Sequence, residues 1–185
     1  MKEKTKYMIY VVIFLVVIVL LNFGYSFITH KLEKVQNRVN QGSTKKEVEY
    51  KQAKDVTVQD ENNQPVQLSS FKGKPIVINF WTSWCGYCKV EMPYFSEVYE
   101  KEKENVSFIM LNVTADDEEE EAKKYIDSQD LSFPIYYDKQ GETAYKYQIT
   151  GYPVTVFINK DFQIYHVHRG AITKEKLQQY IDEIK

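Results

Sequence analysis

The two cysteines of the chain stand three residues apart, in Trp84-Cys85-Gly86-Tyr87-Cys88. Thiols at i and i+3 share a helical face, so one disulfide can close between them within a single turn. A near-continuous apolar run, Ile76-Val77-Ile78-Asn79-Phe80-Trp81, precedes the pair, and a helix is predicted from Gly86 to about Lys103, with Pro93 inside it. Cys85 therefore falls where a helix begins. Unpaired backbone N–H groups and the helix dipole favour an anionic sulfur there. That lowers the pKa of Cys85 and makes it a nucleophile near neutral pH. Cys88, one turn further in and more buried, is placed to attack a mixed disulfide on Cys85 and release the substrate. The chemistry these residues predict is thiol–disulfide exchange.

Other chemistries fit the pair less well. A haem-attachment site needs His after the second cysteine, where Lys89 stands. Two cysteines exclude a disulfide framework and a four-cysteine zinc site. A mixed zinc site would recruit His166 and His168, which alternate on a predicted strand, but it would cost the thiols their redox role, and both read better as ordinary strand residues. Glu91 lies three residues beyond Cys88 on the same helical face. It is placed to exchange a proton with either thiol, directly or through water, and burial beside an apolar strand would raise its pKa. The alternative for Glu91 is a solvated position on the helix surface.

The elements that must hold this site alternate between strand and helix. Val56-Thr57-Val58 and Val66-Gln67-Leu68 flank a turn-rich segment and read as a hairpin. The run from Ile76 to Trp81 reads as a strand buried on both faces, and Val106 to Val113 as a second. Asp116 to Glu121 is predicted to open a helix reaching about Gln129, its acidic run a solvated first turn that suits the helix dipole. Phe133 to Tyr137 reads as a short strand and Thr143 to Gln148 as a short helix. Val154 to Ile158 and Gln163 to Val167 form a predicted strand pair, with Pro153 just before the first. Thr173 to Ile184 closes the chain as an amphipathic helix. Of two Asn-x-Ser/Thr sequons, at Asn105 and Asn112, the second falls in a buried strand, and both read as chance.

The 185 residues carry a net charge of −2, which argues against a nucleic-acid partner. Residues 7–28 are uncharged and apolar, long enough as a helix to cross a hydrocarbon core of ~30 Å. They lack both a small-x-small cleavage site and a lipoprotein cysteine, so a single transmembrane signal-anchor reads better than a cleaved signal peptide. The predicted organisation is a cytoplasmic N-terminus at 1–6, the anchor at 7–28, a polar tether at 29–52 and one folded domain at 53–185. Flanking charges are balanced and leave the orientation to the chemistry.

The segment Val77-Ile78-Asn79-Phe80-Trp81-Thr82-Ser83-Trp84-Cys85-Gly86-Tyr87-Cys88-Lys89-Val90-Glu91-Met92-Pro93 resembles the thioredoxin superfamily, and within it the membrane-anchored TlpA/ResA-type thiol–disulfide oxidoreductases. Gly73-Lys74-Pro75 and Gly151-Tyr152-Pro153-Val154-Thr155-Val156-Phe157-Ile158 extend the likeness, which covers about Val56 to Lys185. The resemblance implies a thioredoxin-like α/β fold: a central mixed β-sheet flanked by helices, with an N-terminal β-hairpin and a helical insertion. It implies Cys85 and Cys88 as the redox-active disulfide and Glu91 as the active-site acid. It also implies a cis bond before Pro153, and a substrate surface made of Trp84, Gly86, Tyr87, Tyr152 and Pro153. Asn79 stands where thioredoxins proper carry a buried Asp, and it cannot titrate. Gly86-Tyr87 departs from relatives that carry Pro before the second cysteine, and that pair tunes the reduction potential.

The expected function is therefore that of an extracytoplasmic oxidoreductase on the cell membrane, without metal or cofactor, reducing disulfides in partner proteins such as apocytochrome c. Its expected partners are protein thiols and disulfides, a membrane thiol electron carrier and the lipid bilayer. The alternatives are an oxidase or isomerase of secreted proteins, and a non-catalytic thioredoxin-like binding module.

Overall fold

A computed structural model of the chain describes Tyr25 and residues 50–129 and 131–185. The predicted anchor at 7–28, the N-terminus before it and the tether up to residue 49 lie outside the described residues, Tyr25 apart. Among the described residues no helix is long and apolar enough to cross a membrane.

Eight strands form the sheet among these residues: β1 Lys51–Gln52, β2 Thr57–Gln59, β3 Pro65–Gln67, β4 Ile76–Trp81, β5 Ser107–Asn112, β6 Ile135–Tyr137, β7 Val154–Ile158 and β8 Gln163–Arg169. Four helices accompany them: α1 Gly86–Glu102, α2 Glu119–Asp127, α3 Glu142–Lys146 and α4 Lys174–Ile184. The strand order is β1-β8-β7-β4-β5-β6-β2-β3. β4, β5 and β6 run parallel, and β7 and β8 are antiparallel to them. The predicted hairpin is β2–β3, in register Val58 to Val66, and it joins the sheet through β2 against β6.

β4 is central, and its period of two explains the unbroken apolar run. Val77 and Trp81 pack with Cys88, Met92 and Phe95 of α1 and with Leu177 and Ile181 of α4. Ile76, Ile78 and Phe80 point the other way, into a second core with Ile109, Leu111, Val156 and Leu68. A strand covered on both faces needs apolar side chains at nearly every position. The exception is Asn79, fully buried at the middle of β4.

The structure departs from the sequence reading in four places. Leu68, predicted to end the hairpin, instead opens a 3₁₀ turn, Leu68–Phe71. Lys51 and Gln52, assigned to the tether, pair with Ile164 and Gln163 of β8, and Tyr50 stacks on Tyr165 with ring centroids 5.1 Å apart. Two-residue strands leave almost no periodicity to detect. β8 also runs on to Arg169, because Val154 to Phe157 of β7 supply partners along it. Finally, the acidic run does not open one helix. Thr114–Asp116 form a 3₁₀ turn, Asp117 is extended, and α2 begins only at Glu119.

Candidate active site

The first turn of α1 is built around the cysteines. Cys85 is the N-cap, with extended backbone, and its Sγ accepts a hydrogen bond from the N–H of Cys88 at 3.1 Å. That N–H is one of the donors a helix leaves unpaired at its start, so the sulfur sits at the positive end of α1. Cys85 and Cys88 are joined in a disulfide, their Cα atoms 5.3 Å apart. Cys85 keeps 5% of its surface exposed and Cys88 none. Of the two cysteines, only Cys85 reaches the surface. Around it stand exposed Trp84 (63%) and Tyr87 (73%), with Gly86 between Cys85 and Tyr87 also on the surface.

Glu91 is fully buried, not a helix-surface residue. Its Oε1 accepts from Asn79 Nδ2 at 2.7 Å, and its Oε2 from the N–H of Ile172 at 2.8 Å. Burial is the larger influence and raises its pKa from 4.5 to about 7; the two hydrogen bonds oppose it by favouring the charged form. Asn79 also donates to Thr155 Oγ1 at 3.1 Å across the β4–β7 pair. The acid is thus gripped by β4 and by the loop between β8 and α4. Tyr152–Pro153 is a cis peptide immediately before β7.

Four contributors to the site escaped the sequence reading. Thr155 and Ile172 hold Asn79 and Glu91, and nothing in their types announces it. Asp116 and Asp117 were read as part of a solvated helix turn. Asp117 instead accepts from Ser83 N–H at 2.5 Å, Ser83 Oγ at 2.6 Å and Asn112 Nδ2 at 2.7 Å. The Asp116 carbonyl accepts from Trp84 Nε1 at 2.9 Å, and its carboxylate from Tyr152 OH at 2.7 Å. With Lys89, Glu118 and Glu121 they border an open cleft of about 680 Å³ beside Ser83 and Trp84.

His166 and His168 both pack against Tyr180 of α4, with ring centroids 4.0 and 6.2 Å away. They are strand residues packed against a helix.

Comparison with known proteins supports the same chemistry. The sequence pattern that defines the Redoxin family matches residues 49–182. Thiol-disulfide oxidoreductase ResA of Bacillus thuringiensis subsp. konkukian is 37% identical over 135 residues, 72% of this chain and 77% of the relative. Thioredoxin-like protein YneN of Bacillus subtilis is 32% identical over 143 residues, 75% of this chain and 84% of the relative. Among solved structures, StoA from Bacillus subtilis superposes with a TM-score of 0.62 at 25% identity, covering 69% of this chain and 96% of its own.

Proposed function

This chain belongs to the Redoxin family and is a thiol–disulfide oxidoreductase, and from that premise we propose that it reduces disulfides in partner proteins outside the cytoplasm, tethered by its N-terminal apolar segment. The Cys85 thiolate attacks one sulfur of the partner's disulfide. A Cys85–partner disulfide forms, and the partner's other sulfur leaves as a thiolate. The Cys88 thiolate then attacks the Cys85 sulfur, closing Cys85–Cys88 and expelling the second partner thiolate. The partner gains two electrons and two protons, and a membrane thiol carrier returns the electrons to the enzyme. Glu91 takes the proton of Cys88 as that thiol becomes the attacking thiolate. Trp84, Gly86, Tyr87, Tyr152 and Pro153 form the surface against which the partner's chain lies. Apocytochrome c, whose haem-attachment cysteines must be free thiols, is the partner class that the ResA likeness favours.

One observation carries this reading. A carboxyl group without solvent contact and with a pKa of about 7 lies one turn beyond the buried cysteine. It exchanges protons in the pH range where thiols react. A module that merely bound its partner would have no use for a buried acid at this position. Gly86-Tyr87 between the cysteines supports a second reading, oxidation or isomerisation of secreted proteins.

Insulin reduction and the reduction potential separate these readings. The wild-type dithiol should reduce insulin, Cys85→Ser should be inert, and Cys88→Ser should stall as a mixed disulfide visible without reductant on a gel. Full turnover by Cys88→Ser would reverse the assigned roles. A potential near or below about −270 mV fits a reductant, and one near about −120 mV moves the enzyme to the oxidants.

A further inference from the structure

Trp84 and Tyr152 are distant in sequence and adjacent in space. Trp84 immediately precedes Cys85, and Tyr152 immediately precedes Pro153. Their rings meet edge to face, with centroids 5.8 Å apart at 79°. Asp116, from the 3₁₀ turn after β5, holds both: its carbonyl accepts the indole N–H and its carboxylate accepts the phenol O–H. The three contacts close a triangle. The turn that carries Asp116 is itself fixed, since Ala115 N–H donates to the Asp138 carbonyl and Asp116 N–H to that of Val113. Next in the chain, Asp117 holds Ser83 through both its N–H and its hydroxyl. Burial, and secondarily the Asp116 carboxylate, raise the pKa of the Tyr152 phenol, so it remains a donor throughout the working range.

We propose that Asp116 is a positioning residue for disulfide exchange, fixing Trp84 and Tyr152 against each other so that both walls of the substrate groove are preset beside Cys85. The inference rests on the reading that proteins are the substrate and that these two residues touch it. A partner arriving at a preset groove does not have to order two aromatic side chains, an ordering that otherwise weakens binding. Asp116 touches no reacting sulfur in this scheme. Its loss should therefore act on KM far more than on kcat.

The experiment is steady-state insulin reduction by wild type, Asp116→Ala, Asp116→Asn, Tyr152→Phe and the double variant Asp116→Ala/Tyr152→Phe. Asp116→Ala and Tyr152→Phe each remove the same hydrogen bond and should raise KM by about three- to tenfold. Because they share that bond, the double variant should be no worse than the worse single. Asp116→Asn keeps an acceptor oxygen and should lie within about twofold of wild type. Additive losses in the double variant, a fall in kcat at unchanged KM, or an Asp116→Asn protein as impaired as Asp116→Ala would each overturn the assignment. Wild-type protein unable to reduce insulin while its own disulfide still exchanges with dithiothreitol would instead overturn the protein-substrate reading, and the proposal with it.

Discussion

Glu91 lies where water does not reach, so its charge has to be met by protein groups or lost. Two donors meet it, Asn79 Nδ2 and the Ile172 N–H, yet burial outweighs them and its pKa rises to about 7. The consequence for stability has a definite sign. Between pH 4.5 and about 7 the unfolded chain releases the Glu91 proton while the folded chain keeps it. The contribution of Glu91 is therefore fully present below pH 4.5 and disappears as pH rises through about 7. The distance between the two pKa values corresponds to roughly 3 kcal/mol. Urea unfolding of the oxidised protein isolates this effect, because disulfide-bonded cysteines do not titrate. The stability of wild type relative to Glu91→Gln should fall by about that amount across this range. A flat difference would place the Glu91 proton outside the window that the exchange reaction needs. In the reduced protein, Glu91→Gln should let the thiols ionise at lower pH, since adjacent anions repel and titrate as a coupled pair. It should also slow exchange by roughly tenfold, and an unchanged rate would exclude Glu91 from proton transfer.

At the scale of elements, α1 is pinned at its start by the loop that follows β5. Asp117 gathers four donors, two from Ser83 before the N-cap, one from Asn112 at the end of β5 and the N–H of Glu118. Asp117→Ala leaves them without that acceptor in a half-buried site and should cost about 2–3 kcal/mol. Thermal unfolding of the oxidised protein measures it, and a loss under about 0.5 kcal/mol would class Asp117 with ordinary surface positions. This loop also marks the limit of what the sequence made legible. Strand β4 was readable because burial on both faces forces an unbroken apolar run, and the start of α1 because a cysteine pair at i and i+3 directly follows that run. The hairpin and α4 were readable from periodicity, and β7 from its continuous buried run. Asp116 and Asp117 were not, because acidic residues near a helix start have a sufficient local explanation in the dipole. Their actual partners, Ser83 and Tyr152, come from far along the chain. The same holds for Ile172, which reaches Glu91 through a main-chain N–H and leaves no trace in residue type.

For the molecule as a whole, the sheet keeps the two functional strands central and the additions peripheral. β4 leads into the cysteines and β7 follows Pro153, and they are direct antiparallel neighbours. The hairpin β2–β3 and the short β1 extend the two edges of the sheet. The chain enters that sheet at β1, whose two residues are the last of the predicted tether at 29–52. The extracytoplasmic, tethered placement proposed above would suit a compartment where disulfides persist. The balanced charges around residues 7–28 do not oppose this orientation, since a long folded domain translocates largely regardless of them. The prediction is that a membrane-impermeant thiol reagent, applied to intact cells after mild reduction, labels Cys85. Cys88 should label far more slowly, because it has no exposed surface. A chain shortened to residues 50–185 should still reduce insulin yet no longer sediment with membranes. Labelling that requires cell lysis would put the active site in the cytoplasm, where thiols are kept reduced, and would redirect the search for partners there. A shortened chain that still sediments would show that the folded domain, rather than the apolar segment, holds the membrane.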